Sequence, residues 1–449
     1  MASDSGEETR DGRPVRHSRR AAMAALGLGG VATLLVGACT TPAGPRGDAP
    51  GTEEAARLTW WSRGTQEWNE MMLEVAGAYM AAYPKISIDY AFQPSEGYTD
   101  RIITAAASDT LPDVFHLNSQ DTISLAAKGV LQDVSGLLAR DGRLKKGDFF
   151  PWAFLRAEKD GKTYGMPLKG TCNVMYVNHS LFEREGLPLP AARWTWADYV
   201  QTARRLTHDP TTPGGIWGGW SYPWQAAVWQ NGGDLVDKAG KKALIAETPA
   251  VEAIQWVADL ILKERVHPRS DEAPEIRTLA VPFSSGRVAM LAGAEPDFGN
   301  LLKITDFKWG AAPLPLAAPG KAQASQGAST LFGLSPRTKA QPQAWAFLTW
   351  LTTQRAPQEI INRAGKLGVP PYKPIYDTLF LNQPPRQDVK QVLGEMALAN
   401  RPYLETLTTV PEVERVFSAE LAHVWSGNTT AREATKRIAE QMTPLLNQA

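Results

Sequence analysis

Fifteen tryptophans stand in this chain, more than its 11 tyrosines or 13 phenylalanines. Four of them, Trp217, Trp220, Trp224 and Trp229, crowd into one short stretch, interleaved with Gly218, Gly219, Tyr222 and Pro223 and followed by Gln230-Asn231-Gly232-Gly233. The chemistry this pattern suits is non-covalent capture of a sugar. The C–H faces of a pyranose are flat and weakly polarised, an indole buries them at little entropic cost, and neighbouring amides or carboxylates pair with the hydroxyls. Bond-making chemistry is less well served. The sequence contains no HExxH, GxSxG or GxxxxGK, and its six histidines are scattered without metal-ligand spacing. Carboxylates are plentiful, so a surface glycoside hydrolase remains the competing reading from another class, because its acid pair is set by spatial and not sequence spacing. Cys39 and Cys172 form no CxxC pair and no disulfide framework. Cys172 reads as a small apolar residue in a strand, with a reactive thiol the alternative. No cofactor and no metal is implied.

The whole chain bounds these readings. Its 449 residues exceed one ordinary core and favour two or three packed units. A composition 43% hydrophobic and 21% charged is that of a soluble globular protein. Lys+Arg and Asp+Glu both number 47, so no electrostatic excess is available for nucleic acid.

The N-terminus reads as an address. Arg10, Arg13, Arg16, Arg19 and Arg20 precede an apolar run, Ala21 to Val36, which is too short to span a membrane and exits through Val36-Gly37-Ala38-Cys39. That order resembles a lipoprotein signal over residues 1–38, with Cys39 the lipid acceptor. A plain cleaved signal is the alternative. Ser18-Arg19-Arg20 also resembles a twin-arginine signal, although Ala22 stands where that motif prefers Phe. The Gly27–Ala32 match to G-x-G-x-x-A falls inside this segment, so it marks no nucleotide site. Residues 39–56, rich in Pro, Gly and small residues, read as a tether with a span of roughly 20–25 Å. The expected location is outside the cytoplasm, anchored to the cell membrane by lipid.

From Arg57 onward short strand-like runs alternate with helical ones, the pattern of an α/β protein with largely parallel sheets. Arg57–Trp61 opens as a strand, Glu67–Tyr83 follows as an amphipathic helix, and Ile86, Ile88 and Tyr90 alternate as a second strand. A helix over Tyr98–Ala107, a strand over Asp113–Leu117 and a helix from about Ser119 to Gly129 complete a βαβαβ start. Right-handed connections then gather the loops after the strand ends at one edge, where open α/β sheets bind ligands. Tyr164–Pro167 and Cys172–Val177 read as strands flanking Leu168–Thr171, and Thr195-x-x-Asp198 as a helix cap. Helices are expected over Pro249–Lys263, Pro274–Ser285 and Ala340–Thr352, and strands over Val288–Leu291 and Thr330–Leu334.

Several segments, in order, resemble the family 1 extracellular solute-binding proteins of ABC importers, the group that includes maltose-binding proteins. They are Leu111-Pro112-Asp113-Val114, Gly165-Met166-Pro167, Tyr176-Val177-Asn178, Thr195-Trp196-Ala197-Asp198, Asn231-Gly232-Gly233, Phe283 to Met290, Ala311 to Pro315 and Ala344 to Leu348. The resemblance runs from about Leu58 to Leu351 and weakens after Pro374. It implies a two-lobed periplasmic-binding-protein-like α/β fold with a hinge and an interlobe ligand cleft. Lobe 1 would comprise 57–170 plus 313–366, and lobe 2 would comprise 171–312 plus 367–449. The implied function is capture of a sugar or oligosaccharide by lobe closure and delivery to the ABC permease subunits in the membrane, by a monomer. Relatives bind glycerol 3-phosphate or glycerophosphodiesters, and Arg63 and Lys169 would then meet a phosphate.

By the same resemblance Trp220, Tyr222 and Trp224 take the stacking role, while Trp229 packs beneath the loop. Trp61 and Arg63 follow the opening strand. Asn118, Ser119 and Gln120 form a loop that binds hydroxyls or, for Asn118 or Ser119, caps a helix. Thr171 matches a ligand-contacting crossover position. Glu295, Asp297 and Phe298, then Gly327 and Ser329 in the return loop, and Tyr372 after Pro370-Pro371 complete the candidate ligand-binding set.

Overall fold

The computed structural model describes residues 51–269, 272, 280–294, 301–363, 368–382, 386–401, 403–404 and 407–447. The basic stretch, the apolar run and Cys39 lie outside the described residues, as do Glu295, Asp297 and Phe298.

Twelve strands occur among the described residues. In chain order they are β1 (Ala56–Arg63), β2 (Ile86–Gln93), β3 (Val114–Leu117), β4 (Glu158–Lys159), β5 (Lys162–Thr163), β6 (Met166–Gly170), β7 (Asn173–Asn178), β8 (Met290–Ala294), β9 (Trp309–Ala312), β10 (Ser325–Gln326), β11 (Ser329–Leu334) and β12 (Asn400–Arg401). A five-stranded sheet has the order β2-β1-β3-β11-β6, and a three-stranded sheet the order β8-β7-β9. The expected parallel pairing holds for β1 with β2 and with β3. It holds too for the short pair β10 and β12, but β11 runs antiparallel to both β3 and β6, and β7 antiparallel to both β8 and β9. Parallel neighbours need a crossover helix between them. β7 instead follows β6 of the other sheet directly, and β11 follows β10 of the junction, so no such helix fixes their direction.

Local chemistry sets the helices that hold these sheets. Thr65 caps helix Gln66–Ala82 by accepting from the Trp68 N–H, and Trp68, Met71, Met72, Val75 and Tyr79 bury one stripe at spacings of three and four. Thr195 and Asp198 form a reciprocal capping box at the start of Trp196–Leu206. Helix Gln341–Thr353 is buried on every side against the five-stranded sheet and helix Arg355–Arg363. Of the expected Pro274–Ser285 helix, Ala280–Ser284 is described. Helices Val410–Trp425 and Ala431–Leu446 pack on each other and on Thr248–Leu262, while Gln387–Leu398 packs on β7 and β9. No helix among the described residues is long and apolar enough to cross a membrane.

Between the sheets the chain passes several times. β6 runs to Gly170, beyond the expected end at Pro167, because Lys169 pairs with Thr330 and Gly170 with Ser329. Only Thr171 and Cys172 then separate β6 from β7. The return passage through β10 lies beside them. The Thr171 N–H donates to the Ala328 carbonyl at 2.7 Å, and the Ala328 N–H to Thr171 Oγ1 at 2.9 Å. The Asn173 N–H donates to Ser325 Oγ at 2.8 Å, and Asn400 Nδ2 to the Thr171 carbonyl at 2.9 Å. Glycine is required at 327: a Cβ there would lie 2.2 Å from both the Thr171 oxygen and Asn400 Nδ2. Gly170 and Val369 exchange both backbone hydrogen bonds at 2.8 Å, adding a further strand of chain to the junction.

Candidate functional site

The Trp-rich stretch divides by burial. Residues 217–220 run beside β8, with Trp217 bridging to Val288 and Trp220 to Leu291. The glycines between them are steric necessities, since a Cβ on Gly218 would lie 1.9 Å from the Ala203 carbonyl and one on Gly219 2.0 Å from the Tyr199 hydroxyl. Trp217 is buried beneath Arg265. Trp229 is buried too, and its indole N–H donates to Asp234 at 3.1 Å. Tyr222 packs edge-on to Trp256 and Tyr199, and its hydroxyl donates to Gln230 Oε1 at 2.8 Å. Burial raises that phenol's pKa far above its usual range, so it is a neutral hydroxyl. Trp220 and Trp224 are half-buried.

Trp224 opens helix Trp224–Gln230 and faces a cavity of about 280 Å³. Its walls are the rings of Trp224, Tyr403, Phe417 and Trp425, and the polar groups of Gln225, Gln326, Glu414 and Ser418. Phe417 meets Trp224 edge-on at 5.2 Å between centroids. Glu414, Phe417, Ser418, Leu421 and Trp425 recur at helical spacing, so one face of Val410–Trp425 supplies most of one wall. Burial raises the Glu414 pKa above the ordinary carboxylate range, against the opposing pull of Arg156 and the Tyr403 hydroxyl.

The loop after β3 closes on this region from the five-stranded side. Gln120 Nε2 donates to Glu414 Oε1 at 3.1 Å, and Ser119 Oγ accepts from Arg156 Nη1 at 3.2 Å. Arg156 is only 5% exposed, and its guanidinium lies 5.3 Å from the centre of the Tyr403 ring. Such burial is tolerable for a cation only with partners around it. Arg156 also lines a small pocket at the junction with Trp152, Gly327, Ser329, Asn400 and Arg401.

The remaining candidates take several places. Asn118 ties the strand ends together: it accepts from Arg63 and donates to Thr99 Oγ1 at 3.2 Å and Asp121 Oδ2 at 2.9 Å. Helix Thr122–Ala127 has Asp121 at its N-cap position, without a side-chain capping bond. Arg63 lies 5.7 Å from the Tyr98 ring centre, and desolvation lowers its pKa. Lys169 sits 4.9 Å over Trp68. Buried His116 is pushed well below its usual value by burial, then by Arg63 and Lys169. Trp61 is half-buried within β1. Thr171 has its hydroxyl occupied by both polar groups of the Ala328 backbone. Ser329 donates to the Ala153 carbonyl. Tyr372 packs on Phe149 at 5.2 Å, the two forming a backbone bridge beside the Phe150 N–H bond to the Pro371 carbonyl, and is not among the cavity residues. Cys172 is buried, its Sγ donating to the Leu393 carbonyl at 3.2 Å.

Sequence reasoning did not single out Arg156, Gln225, Gln326, Tyr403, Glu414, Phe417 or Trp425. The recurrence of Val410, Val413, Phe417, Leu421 and Val424 marks a buried stripe on one helix. Glu414, at the margin of that stripe, is the signal available in the sequence.

Two sheets joined by several chain passages, with a ring-lined polar cavity beside the junction, define a two-lobed binding protein. The chain belongs to the bacterial extracellular solute-binding protein family, the class that serves ABC importers, and matches it over residues 64–356. It is similar to the sn-glycerol-3-phosphate-binding periplasmic protein UgpB of Brucella melitensis, 22% identical over 397 residues that cover 84% of this chain and 90% of that protein. The ABC substrate-binding protein of Listeria monocytogenes in complex with cycloalternan shares the fold with a TM-score of 0.75 at 21% identity, covering 88% of this chain and 100% of that one. UgpB of Mycobacterium tuberculosis in complex with glycerophosphocholine does so with a TM-score of 0.73 at 18% identity, covering 88% and 99%. Sugar and glycerol-phosphate binders thus both stand among its relatives.

Proposed function

We propose that this solute-binding protein captures a sugar or short oligosaccharide between its lobes and presents the closed form to the permease of an ABC importer. The observation that carries the reading is the cavity of about 280 Å³ whose walls combine four aromatic rings with two amides, two hydroxyls and one carboxylate. That size sits near the lower end of ligand clefts, roughly 300–1,000 Å³, and suits one or two sugar rings. Trp224 and Trp220 would stack on the solute, and Gln225, Gln326 and Ser418 would bind its hydroxyls. Asn118 and Ser119 contribute from lobe 1, which we take as 57–170 plus 313–366, against 171–312 plus 367–449 for lobe 2. Binding works by difference: a solute touching both lobes favours the closed state, whereas contact with one lobe alone shifts nothing. An affinity near micromolar, about −8 kcal/mol, suits capture followed by release.

The chain acts as a binding protein and not as a hydrolase, a reading supported by its membership of a family of solute-binding proteins. Cys39 carries the lipid that holds the protein at the membrane, with residues 40–56 as tether, and the folded part works as a monomer.

A second reading has a specific observation behind it. Arg156 and Arg401 line one pocket with Asn400 and the Gly327–Ala328 backbone, next to the ring-lined acidic cavity. That pocket is only about 10 Å³, so the lobes would have to part before its two guanidiniums met a phosphodiester; rings with a carboxylate suit a cationic headgroup. Tryptophan emission recorded while titrating maltooligosaccharides and glycerophosphodiesters separates the readings. Saturation by a neutral sugar that phosphodiesters do not displace supports the first. Saturation by phosphodiesters alone replaces it with the second.

A further inference from the structure

The rim of the cleft contains contacts that join the two sides of the molecule directly. Gln120 belongs to the loop after β3, in the five-stranded half, whereas Glu414 belongs to helix Val410–Trp425, whose Phe417 meets Trp224, four residues after Trp220 bridges to Leu291 of the three-stranded sheet. Their side chains meet at 3.1 Å. Behind them Arg156, on the turn after Pro151–Phe154, donates to Ser119 on its own side and lies 5.3 Å from the Tyr403 ring centre on the other. Both contacts cross the cleft, and both lapse if the lobes part.

We propose that Gln120 with Glu414, backed by Arg156 on Tyr403, forms a latch that favours the closed arrangement by itself and so sets affinity through the closed population. The proposal rests on the closure reading given above. Gln120 and Glu414 are positioning residues in this account. An apparent dissociation constant is the intrinsic one divided by the fraction of competent protein, so loosening the latch weakens every solute by one common factor. A residue that touches solute changes different solutes by different factors. A hydrogen bond to a charged group is strong enough for its loss to raise the open-to-closed ratio roughly tenfold.

The test measures interlobe distance by pulsed electron spin resonance on the full chain carrying Cys39→Ser. Spin labels go at Leu73→Cys on helix Gln66–Ala82 and Lys436→Cys on helix Ala431–Leu446, both exposed positions, while Cys172 is buried. Maltotriose and glycerophosphocholine serve as probes. Without probe, Gln120→Ala and Glu414→Ala are expected to raise the long-distance population roughly tenfold. Glu414→Gln, which keeps an oxygen to accept from Gln120 but loses the charge, should open less than Glu414→Ala, and the Gln120→Ala, Glu414→Ala double variant should open no further than either single one. Affinity for whichever probe binds should fall by the factor the distances give. Exposed Gln120 keeps the test available if Glu414→Ala does not fold. Unchanged distances in Gln120→Ala while a probe still shortens them overturn the latch and leave closure standing. Distances that neither the variants nor either probe alter overturn both. A loss of affinity without any change in distance makes Gln120 or Glu414 a solute contact and also overturns the latch.

Discussion

Trp224 and Tyr222 stand two residues apart and have opposite duties. The indole of Trp224 faces the cavity, whereas the phenol of Tyr222 is buried and serves Gln230, whose Oε1 also accepts from Trp196 Nε1 at 3.1 Å. Trp224→Ala should therefore weaken solute binding about tenfold or more, the equivalent of ~1.4 kcal/mol of lost ring contact, with little change in unfolding midpoint. Tyr222→Phe should do the reverse, costing about 1 kcal/mol of stability and leaving affinity unchanged. Isothermal titration beside urea unfolding reads both, and a loss of affinity in Tyr222→Phe would return that hydroxyl to the solute. Sequence made the aromatic cluster visible, but not which rings are walls and which are core. That depends on where helix Trp196–Leu206 and Trp256 lie, and both are distant in sequence. The same limit hid Arg156, a lone basic residue until Ser119 and Tyr403 are placed around it.

At the scale of elements, the periodic segments were legible and the junction was not. Helix Gln66–Ala82, strands β1 to β3 and the Thr195–Asp198 cap follow from apolar spacing and capping chemistry that a few adjacent residues contain. The antiparallel courses of β7 and β11, and the extension of β6 to Gly170, arise from pairing between segments more than 100 residues apart. Thr171 reads as a solute contact in sequence, yet its hydroxyl binds the Ala328 backbone in the structure. Gly327 is the sharpest probe of this junction. Gly327→Ala would drive a methyl into the Thr171 carbonyl and the Asn400 amide, and it should cost about 1–3 kcal/mol in urea unfolding. An unaltered midpoint would mean that the passages are not held as tightly as described.

The whole molecule couples burial to pH. Burial drives the His267 imidazole down to about 3 as it bonds the Tyr199 hydroxyl at 2.6 Å, whereas the unfolded chain takes up that proton near pH ~6.5. Between those values the unfolded state binds more protons, so stability falls as pH drops from about 6.5 toward 3, by up to ~1.4 kcal/mol per pH unit. Burial, with Arg63 and Lys169, lowers His116 as well and adds to the same slope. Thermal unfolding between pH 7 and pH 5 should show the decline, made shallower by His267→Gln; equal slopes in both proteins would contradict it. The larger claim is that the two halves close on a solute. Small-angle scattering with and without a sugar that saturates the tryptophan emission tests it most directly. Closure requires a smaller radius of gyration at saturation, and saturable binding with an unchanged radius would contradict it.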